Sequence, residues 1–309
     1  MAVLVVGSVA YDSVETPYGS VEDALGGSAT YFSVSASFFT PVLLVACVGK
    51  DFRAEDRNLL ETRNVDLDGL EYLDGETFRW KGNYTRDLNE ATTLATHLNV
   101  FAGFRPKIPE RFRSADFVFL GNIDPTLQRE VLAQVRAPKL VACDTMNYWI
   151  EGSLESLIET LRHVDILVVN DQETRLLAGE ASLVKAARRI MDWGPRTVVV
   201  KRGEYGVVKF SRVGHELQAF GIPAYPVEDV ADPTGAGDTF AGGFMGYLAG
   251  TGRTDEATLR QAVVFGSVMA SFNVEKFSLG RLRELTFTEV QLRFREFQEL
   301  TRFEPVDFE

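Results

Sequence analysis

A chain of 309 residues with 45% hydrophobic content can bury a large core, enough for one sizeable α/β domain or two smaller ones. Its 32 basic and 44 acidic residues leave a net charge of −12, which disfavours nonspecific attraction to nucleic acid or an anionic membrane. Any anionic ligand must therefore be met by local positive potential. The two cysteines, Cys47 and Cys143, lie inside apolar runs and are expected as buried thiols rather than a disulfide framework.

The first expected element is a strand at Val3–Val6. No basic leader precedes it, so a cytoplasmic protein without a signal peptide or membrane span is expected. Asp12 follows this strand, Val9 to Asp23 with a turn near Pro17-Tyr18-Gly19 suggests further strands, and Gly26-Gly27 opens a helix expected over Ala29–Phe38. A strand is expected at Val42–Val48. From Thr77 to Tyr84 the side chains alternate, with Phe78, Trp80, Gly82 and Tyr84 set against Thr77, Arg79, Lys81 and Asn83, which is the period of a strand covered on one face only. A second run, Leu94 to Val100, continues in phase after the turn residues Asp87-Leu88-Asn89-Glu90. The two runs read as an antiparallel hairpin standing off the main sheet, a lid inserted from roughly residues 10–23 and 75–101. An edge hairpin completing the main sheet is the topological alternative.

Farther along, nearly continuous apolar runs at Phe117–Leu120, Leu140–Cys143, Ile166–Val169 and Thr197–Val200 alternate with helical periodicity at Pro125–Val135, Leu154–Arg162 and Leu183–Trp193. Strands of this kind are buried on both faces, so the expected fold is three-layer α/β/α around a mostly parallel sheet, with residues 1–309 forming one domain. Asn170-Asp171-Gln172-Glu173 follows one strand, at the carboxyl-end crevice where such sheets bind ligands. Locally it reads either as a capping box or as a phosphate and metal site. Lys201 ends another strand, ahead of Gly203 and Gly206, and is either a phosphate contact or a flexible surface cation. A C-terminal helix over Thr288–Arg302 places Val290, Phe294 and Phe297 on one packing face.

The richest stretch is Asp232-Pro233-Thr234-Gly235-Ala236-Gly237-Asp238-Thr239-Phe240, glycine-rich, with a carboxylate at each end and a helical pattern behind it. A helix starting there would aim orphan N–H donors at a phosphate, with Asp238 placed to accept a proton from a hydroxyl. The dinucleotide pattern G-x-G-x-x-G fails because Phe240 holds its third glycine position, and no G-x-x-x-x-G-K-[ST] loop occurs.

This stretch resembles the C-terminal signature D-T-x-G-A-G-D of the ribokinase-like (PfkB) family of sugar and nucleoside kinases, with Pro233 where many members have Thr. Asp12, Gly26-Gly27, Asn170-x-x-Glu173 and Lys201-Arg202-Gly203-Glu204-Tyr205-Gly206 occur in the family's order, so the resemblance spans nearly the whole chain. It implies an ATP- and Mg²⁺-dependent kinase that moves the γ-phosphoryl group to a hydroxyl of a small sugar or sugar-like acceptor. A nucleoside (adenosine-type) kinase is the alternative, and a noncatalytic ligand-sensing or scaffolding member is the alternative of another class.

By resemblance Asp238 is the base and the amides of Gly235, Ala236 and Gly237 form the anion hole. Asp12, Gly26, Gly27 and Tyr31 face the acceptor, and Asn170, Lys201, Gly203, Gly206 and Thr234 bind ATP. Glu173 and Asn170 hold Mg²⁺ through water. The adenine is expected in an apolar cleft between the turn after Val227 and a helix at Ala262–Phe272, and the small sheet is expected to cover the substrate. Two positions depart from the family. Tyr31 replaces the Asn with which many sugar kinases bind substrate, and Ser271-Phe272-Asn273-Val274-Glu275-Lys276 replaces a loop that helps bind a monovalent cation, leaving potassium dependence open. Phe78, Trp80 and Tyr84 share one face of a sheet too small to bury them, which leads to the expectation of a homodimer through the lid.

Overall fold

The computed structural model describes residues 1–85, 88–89, 91–214 and 216–304. Its strands are β1 (Val3–Val6), β2 (Ala10–Thr16), β3 (Gly19–Gly26), β4 (Val42–Val48), β5 (Val65–Tyr72), β6 (Phe78–Tyr84), β7 (Ala91–His97), β8 (Phe117–Leu120), β9 (Leu140–Cys143), β10 (Ile166–Asn170), β11 (Thr197–Lys201), β12 (Val207–Val213) and β13 (Glu216–Ile222). The helices are α1 (Ser28–Ala36), α2 (Ala54–Thr62), α3 (Pro125–Leu132), α4 (Asn147–Gly152), α5 (Leu154–Leu161), α6 (Asp171–Ala178), α7 (Leu183–Met191), α8 (Ala236–Thr251), α9 (Glu256–Asn273), α10 (Gly280–Glu284) and α11 (Phe287–Leu300).

Nine strands form one sheet in the order β13-β12-β11-β10-β9-β8-β1-β4-β5. Every pairing is parallel except β11 with β12 and β12 with β13. Alternation along each strand sorts side chains into two cores. Val3, Val5, Phe117 and Phe119 pack with Phe32 of α1, Phe244 of α8 and Val263 of α9. Leu4, Val6, Val118 and Leu120 pack with Val131 of α3, Leu157 of α5 and Ile190 of α7. A fully buried side chain of this size contributes about 1.5–3 kcal/mol, and neither face can be left bare. The three-layer architecture follows. Among the described residues no helix is long and apolar enough to cross a membrane. Both cysteines are free and buried.

The four remaining strands make a second sheet in the order β3-β2-β6-β7. It consists of two antiparallel hairpins, β2–β3 and β6–β7, joined by a parallel pairing of β2 with β6 from Ala10↔Phe78 to Glu15↔Asn83. The hairpin from Phe78 onward therefore belongs to the small sheet and does not complete the large one. Its second strand is Ala91–His97 rather than Leu94–Val100, because the register shifts between Lys81 and Gly82 and Asn99–Gly103 turns into a 3₁₀ helix. Leu88 and Asn89 form a turn, while Asp87 and Glu90 of the expected turn lie outside the described residues.

Interactions inside the chain partly cover the aromatic face. Phe78 stacks on Phe101 with ring centroids 5.5 Å apart, and the Trp80 indole folds over Gly82, where a Cβ would come within 2.3 Å of it. Arg79 pairs with Asp23 of β3 at 2.6 Å and with Asp51, in the turn after β4, at 2.8 Å, tying the small sheet to the large one.

Candidate active site

The loop before α8 is pinned from below. Asp232, 1% exposed, accepts hydrogen bonds from the amides of Thr234 at 2.9 Å and Ser278 at 3.0 Å. The Thr234 carbonyl accepts from Asn273 Nδ2 at 2.8 Å. Asp232 is thus consumed in shaping the loop. Gly235 caps α8 in the left-handed region, at φ 73°, and a Cβ there would come within 2.4 Å of the Tyr31 ring. The first i→i−4 bond of the helix runs from Thr239 N–H to Gly235 O, so the Gly237 amide precedes it as an orphan donor, while the Asp238 amide faces its own carboxylate. The Ala236 amide donates to Pro233 O at 3.1 Å, so of the expected anion hole this donor is engaged by the chain itself.

Three strand ends converge on that helix terminus. Lys201, at the end of β11, is 17% exposed, and its Nζ lies 3.7 Å from Asp144 Oδ2 at the end of β9. A Cβ on Gly237 would approach the same Nζ to 2.8 Å, so the ammonium sits against the first turn of α8. The flexible-surface reading of Lys201 is overturned. Burial lowers its pKa, but the negative charges of Asp144, Glu173 and Asp238 outweigh that effect and raise it, keeping it a cation. At the end of β10 the capping box is formed in full, with Glu173 N–H bonding Asn170 Oδ1 at 2.7 Å and Asn170 N–H bonding Glu173 Oε2 at 2.8 Å. The same glutamate also faces the charged cluster. Burial first, then Asp144, pushes its pKa up to about 7 against Lys201. Asp238 is pushed up to about 7 by burial and by Asp144, again against Lys201.

Asp144, buried and bonded to the Thr145 amide at 2.8 Å, was not anticipated from sequence. Its burial raises its pKa and Lys201 opposes the rise. Three carboxylates thus share one lysine, an excess of negative charge that a divalent cation would offset. Among the described residues no group of three or more His, Cys, Asp or Glu is arranged to hold a metal by itself. The residues fit a hydrated ion such as Mg²⁺ that takes most of its ligands from water and phosphate oxygens.

On the other side of the loop stands Asp12 of β2, 5% exposed, whose Oδ2 accepts from the Gly27 amide at 3.3 Å. A Cβ on Gly26 would lie 1.9 Å from that oxygen, and one on Gly27, at φ 92°, would lie 2.6 Å from Ser8 O. The glycine pair is therefore required by contacts within the chain, whatever it offers a ligand. Burial pushes the Asp12 pKa up to about 7; the Gly27 amide opposes this, and Asp232 and Asp238 add to it. Tyr31 is 1% exposed, and its buried phenol oxygen faces Ser278 without a hydrogen bond of ordinary geometry; burial raises its pKa well above the usual tyrosine value, Asp12 and Asp232 add to the rise, and Ser278 opposes it.

Gly203 and Gly206 are also explained within the chain. Both have positive φ, and a Cβ would strike Asn89 of the β6–β7 turn in the first case and Ile222 O in the second. Glu275 pairs with Arg281 at 2.9 Å and Arg293 at 2.7 Å, which turns its charge toward arginines. A polar space of about 290 Å³ beside the turn after Val227 is bordered by Glu228, Asp229, Glu275 and Arg293, and no residue of Ala262–Phe272 lines it, so it is not the cleft expected for the adenine.

The pfkB family carbohydrate kinase model matches residues 2–284. A cytidine kinase of Thermococcus kodakarensis is 30% identical over 251 residues, covering 80% of this chain and 88% of that one. The nucleoside kinase of Burkholderia thailandensis in complex with inosine superposes with a TM-score of 0.75 at 20% identity, covering 98% of this chain and 100% of that one. A ribokinase II from E. coli in complex with ATP and Mg²⁺ gives 0.76 at 18% identity, with 95% and 98% covered. At such identities the likeness to the two solved structures is one of fold.

Proposed function

The chain belongs to the pfkB family of carbohydrate kinases, phosphotransferases that act on hydroxyl groups, and from that premise we propose that it phosphorylates a ribose hydroxyl of a nucleoside, using ATP and Mg²⁺. The observation that carries this reading is Asp238 in the first turn of α8, beside the orphan Gly237 amide and Lys201 on one side and within electrostatic reach of Asp12 on the other. Asp238 accepts the proton of the attacking hydroxyl, and the amides of Gly235 and Gly237 meet the charge on the transferred phosphoryl group. Lys201, Thr234 and the turn holding Gly203 and Gly206 bind ATP. Asn170 and Glu173 hold Mg²⁺ through water, and the ion supplies neutralisation of phosphate charge. Asp12 and Tyr31 hold the acceptor's other hydroxyls, above the backbone at Gly26 and Gly27.

Two facts favour a nucleoside over a free sugar: Tyr31 stands where sugar kinases commonly carry Asn, and the 30% identical relative is a cytidine kinase. A noncatalytic role is disfavoured because base, lysine and amide donors are all in place. We place the enzyme in the cytoplasm. A homodimer through the small sheet is supported by the exposure of Leu94 and Leu98 at its β7 edge, 52% and 45%. Turnover needs no potassium in this reading, since Glu275 is already neutralised by two arginines. ADP release measured with Mg²⁺-ATP and cytidine, inosine, adenosine, ribose or fructose tests the assignment. A nucleoside should give the highest kcat/KM. A preference for ribose would remove the nucleoside half, and no release with any acceptor would remove the kinase reading.

A further inference from the structure

We propose that Tyr84 is a substrate-positioning residue of the acceptor site, whose phenol couples closure of the small sheet to occupancy of that site. The proposal deepens the nucleoside-kinase reading, on which it rests for the identity of the ligand.

Tyr84 is the last residue of β6, on the strand that runs parallel to β2 with Trp80 opposite Asp12. Four residues beyond that register point, about 13 Å along the strand, its hydroxyl has crossed to the large domain. There Thr234 Oγ1 donates to the phenol oxygen at 3.4 Å. The end of β2 makes the same crossing, with Thr16 Oγ1 donating to Ala231 O at 2.9 Å. The small sheet therefore touches the 231–234 loop at two strand ends. Asp12 and Asp238 lie within electrostatic reach of the Tyr84 hydroxyl, and the Tyr31 ring lies against Gly235, the residue after that loop.

The Thr234 contact is long for an O–H···O bond, whose usual length is about 2.7–2.8 Å, and in it the phenol acts as acceptor. The phenol proton remains available for donation. Burial pushes the Tyr84 pKa up to about 12, with the charges of Asp232, Asp12 and Asp238 adding to the rise, so the group stays a neutral donor at physiological pH. A polyhydroxylated acceptor supplies what the site lacks. Its hydroxyl oxygens accept from Tyr84 while its hydroxyl protons go to Asp12 and Asp238. A ribose bound in this way joins β6 of the small sheet to α8 of the large domain, so binding favours the closed arrangement and excludes water from the transferred group.

The test compares wild type with Tyr84→Phe, which keeps the ring and removes only the hydroxyl, using cytidine and inosine as acceptors. The KM for the acceptor should rise about 3- to 10-fold while the KM for ATP stays within about twofold, as expected for one lost hydrogen bond. Tyr84→Ala should in addition raise ATP hydrolysis in the absence of acceptor. An unchanged acceptor KM, or equal rises in both KM values, overturns the positioning role. Hydrogen exchange on the ligand-free proteins gives a readout independent of turnover: amides of Phe78–Tyr84 should exchange faster in Tyr84→Phe while those of α8 do not. Identical exchange overturns the coupling. If wild type releases no ADP with any nucleoside or sugar, the kinase reading falls and the exchange comparison alone decides whether Tyr84 holds the small sheet closed.

Discussion

Asp238→Asn should abolish turnover and at the same time stabilise the ligand-free protein at alkaline pH. The carboxyl titrates at about 7 in the fold against 3.8 for an ordinary Asp. The folded state therefore binds more protons than the unfolded chain between about pH 4 and 7. Stability falls as pH rises through that window, and the full cost is present above it. A shift of about three units, in which Lys201 and Asp144 are already counted, at about 1.4 kcal/mol each sets an upper limit of about 4 kcal/mol, and the cost of burying the polar Asn amide brings the expected gain to about 2–4 kcal/mol. Asn keeps size and polarity but carries no charge. Urea unfolding at pH 8 should show this gain, and at pH 4 the two proteins should be nearly equal. Steady-state kinetics should show kcat lower by about 10²–10⁴, the range for loss of a general base. In wild type, kcat/KM should fall below about pH 7 as the base becomes protonated. A near-normal kcat with the fold intact refutes the base assignment, and equal stability at pH 8 refutes the electrostatic account.

Glu173→Gln preserves the capping box, since Gln serves at that position as well as Glu, and it removes a carboxylate that burial and Asp144 push up to about 7, so by the same linkage stability should rise at pH 8, by up to about 3 kcal/mol, and change little at pH 4. The Mg²⁺ concentration giving half-maximal rate should rise several-fold, and an unchanged titration would reduce Asn170 and Glu173 to their structural role. Gly235→Ala forces a side chain into the left-handed region and against the Tyr31 ring, and should cost about 2–5 kcal/mol in denaturant titrations; a loss below about 1 kcal/mol would mean the loop can relax away from Tyr31. Trp80→Glu should shift the protein toward monomer in light scattering and raise the KM for the acceptor more than that for ATP. Wild type that is already monomeric at micromolar concentration ends the dimer proposal.

The strands legible in sequence were those covered on both faces. Val3–Val6 and Leu140–Cys143 match residue for residue because nothing but a buried strand suits such runs. β5 escaped because Asp66, Asp68 and Glu71 break up its apolar side chains, as an edge strand allows. β13, the opposite edge, escaped for the same reason. The second lid strand was misplaced because a register shift is invisible to a period-two pattern. Within the site, the loop from Asp232 to Asp238 was readable because its glycines and carboxylates have fixed spacing. Asp144 was not, since a single acid after a strand carries no spacing at all. Only its 3.7 Å approach to Lys201, through strand neighbours distant in sequence, reveals it. The paired roles of Glu173, cap and charged neighbour, could be weighed as alternatives in sequence but only the fold makes them compatible.

The parallel pairing of β2 with β6 places Asp12 and Tyr84 on one small sheet, whereas Lys201 ends a strand of the large one, Asp144 follows another, and Asp238 and Glu173 lie in the first turns of α8 and α6. In the proposed assignment Asp12 and Tyr84 meet the acceptor from the small sheet, Tyr31 meets it from α1, and the groups that meet the phosphoryl donor lie outside the small sheet. A chimera that exchanges residues 10–26 and 78–97 for those of a relative with another preference would be expected to change which alcohol is chosen while leaving the donor machinery untouched. On the proposed assignment such an arrangement would let the acceptor range drift with little change to the donor site, and would make the small sheet the place to look for selective inhibitors.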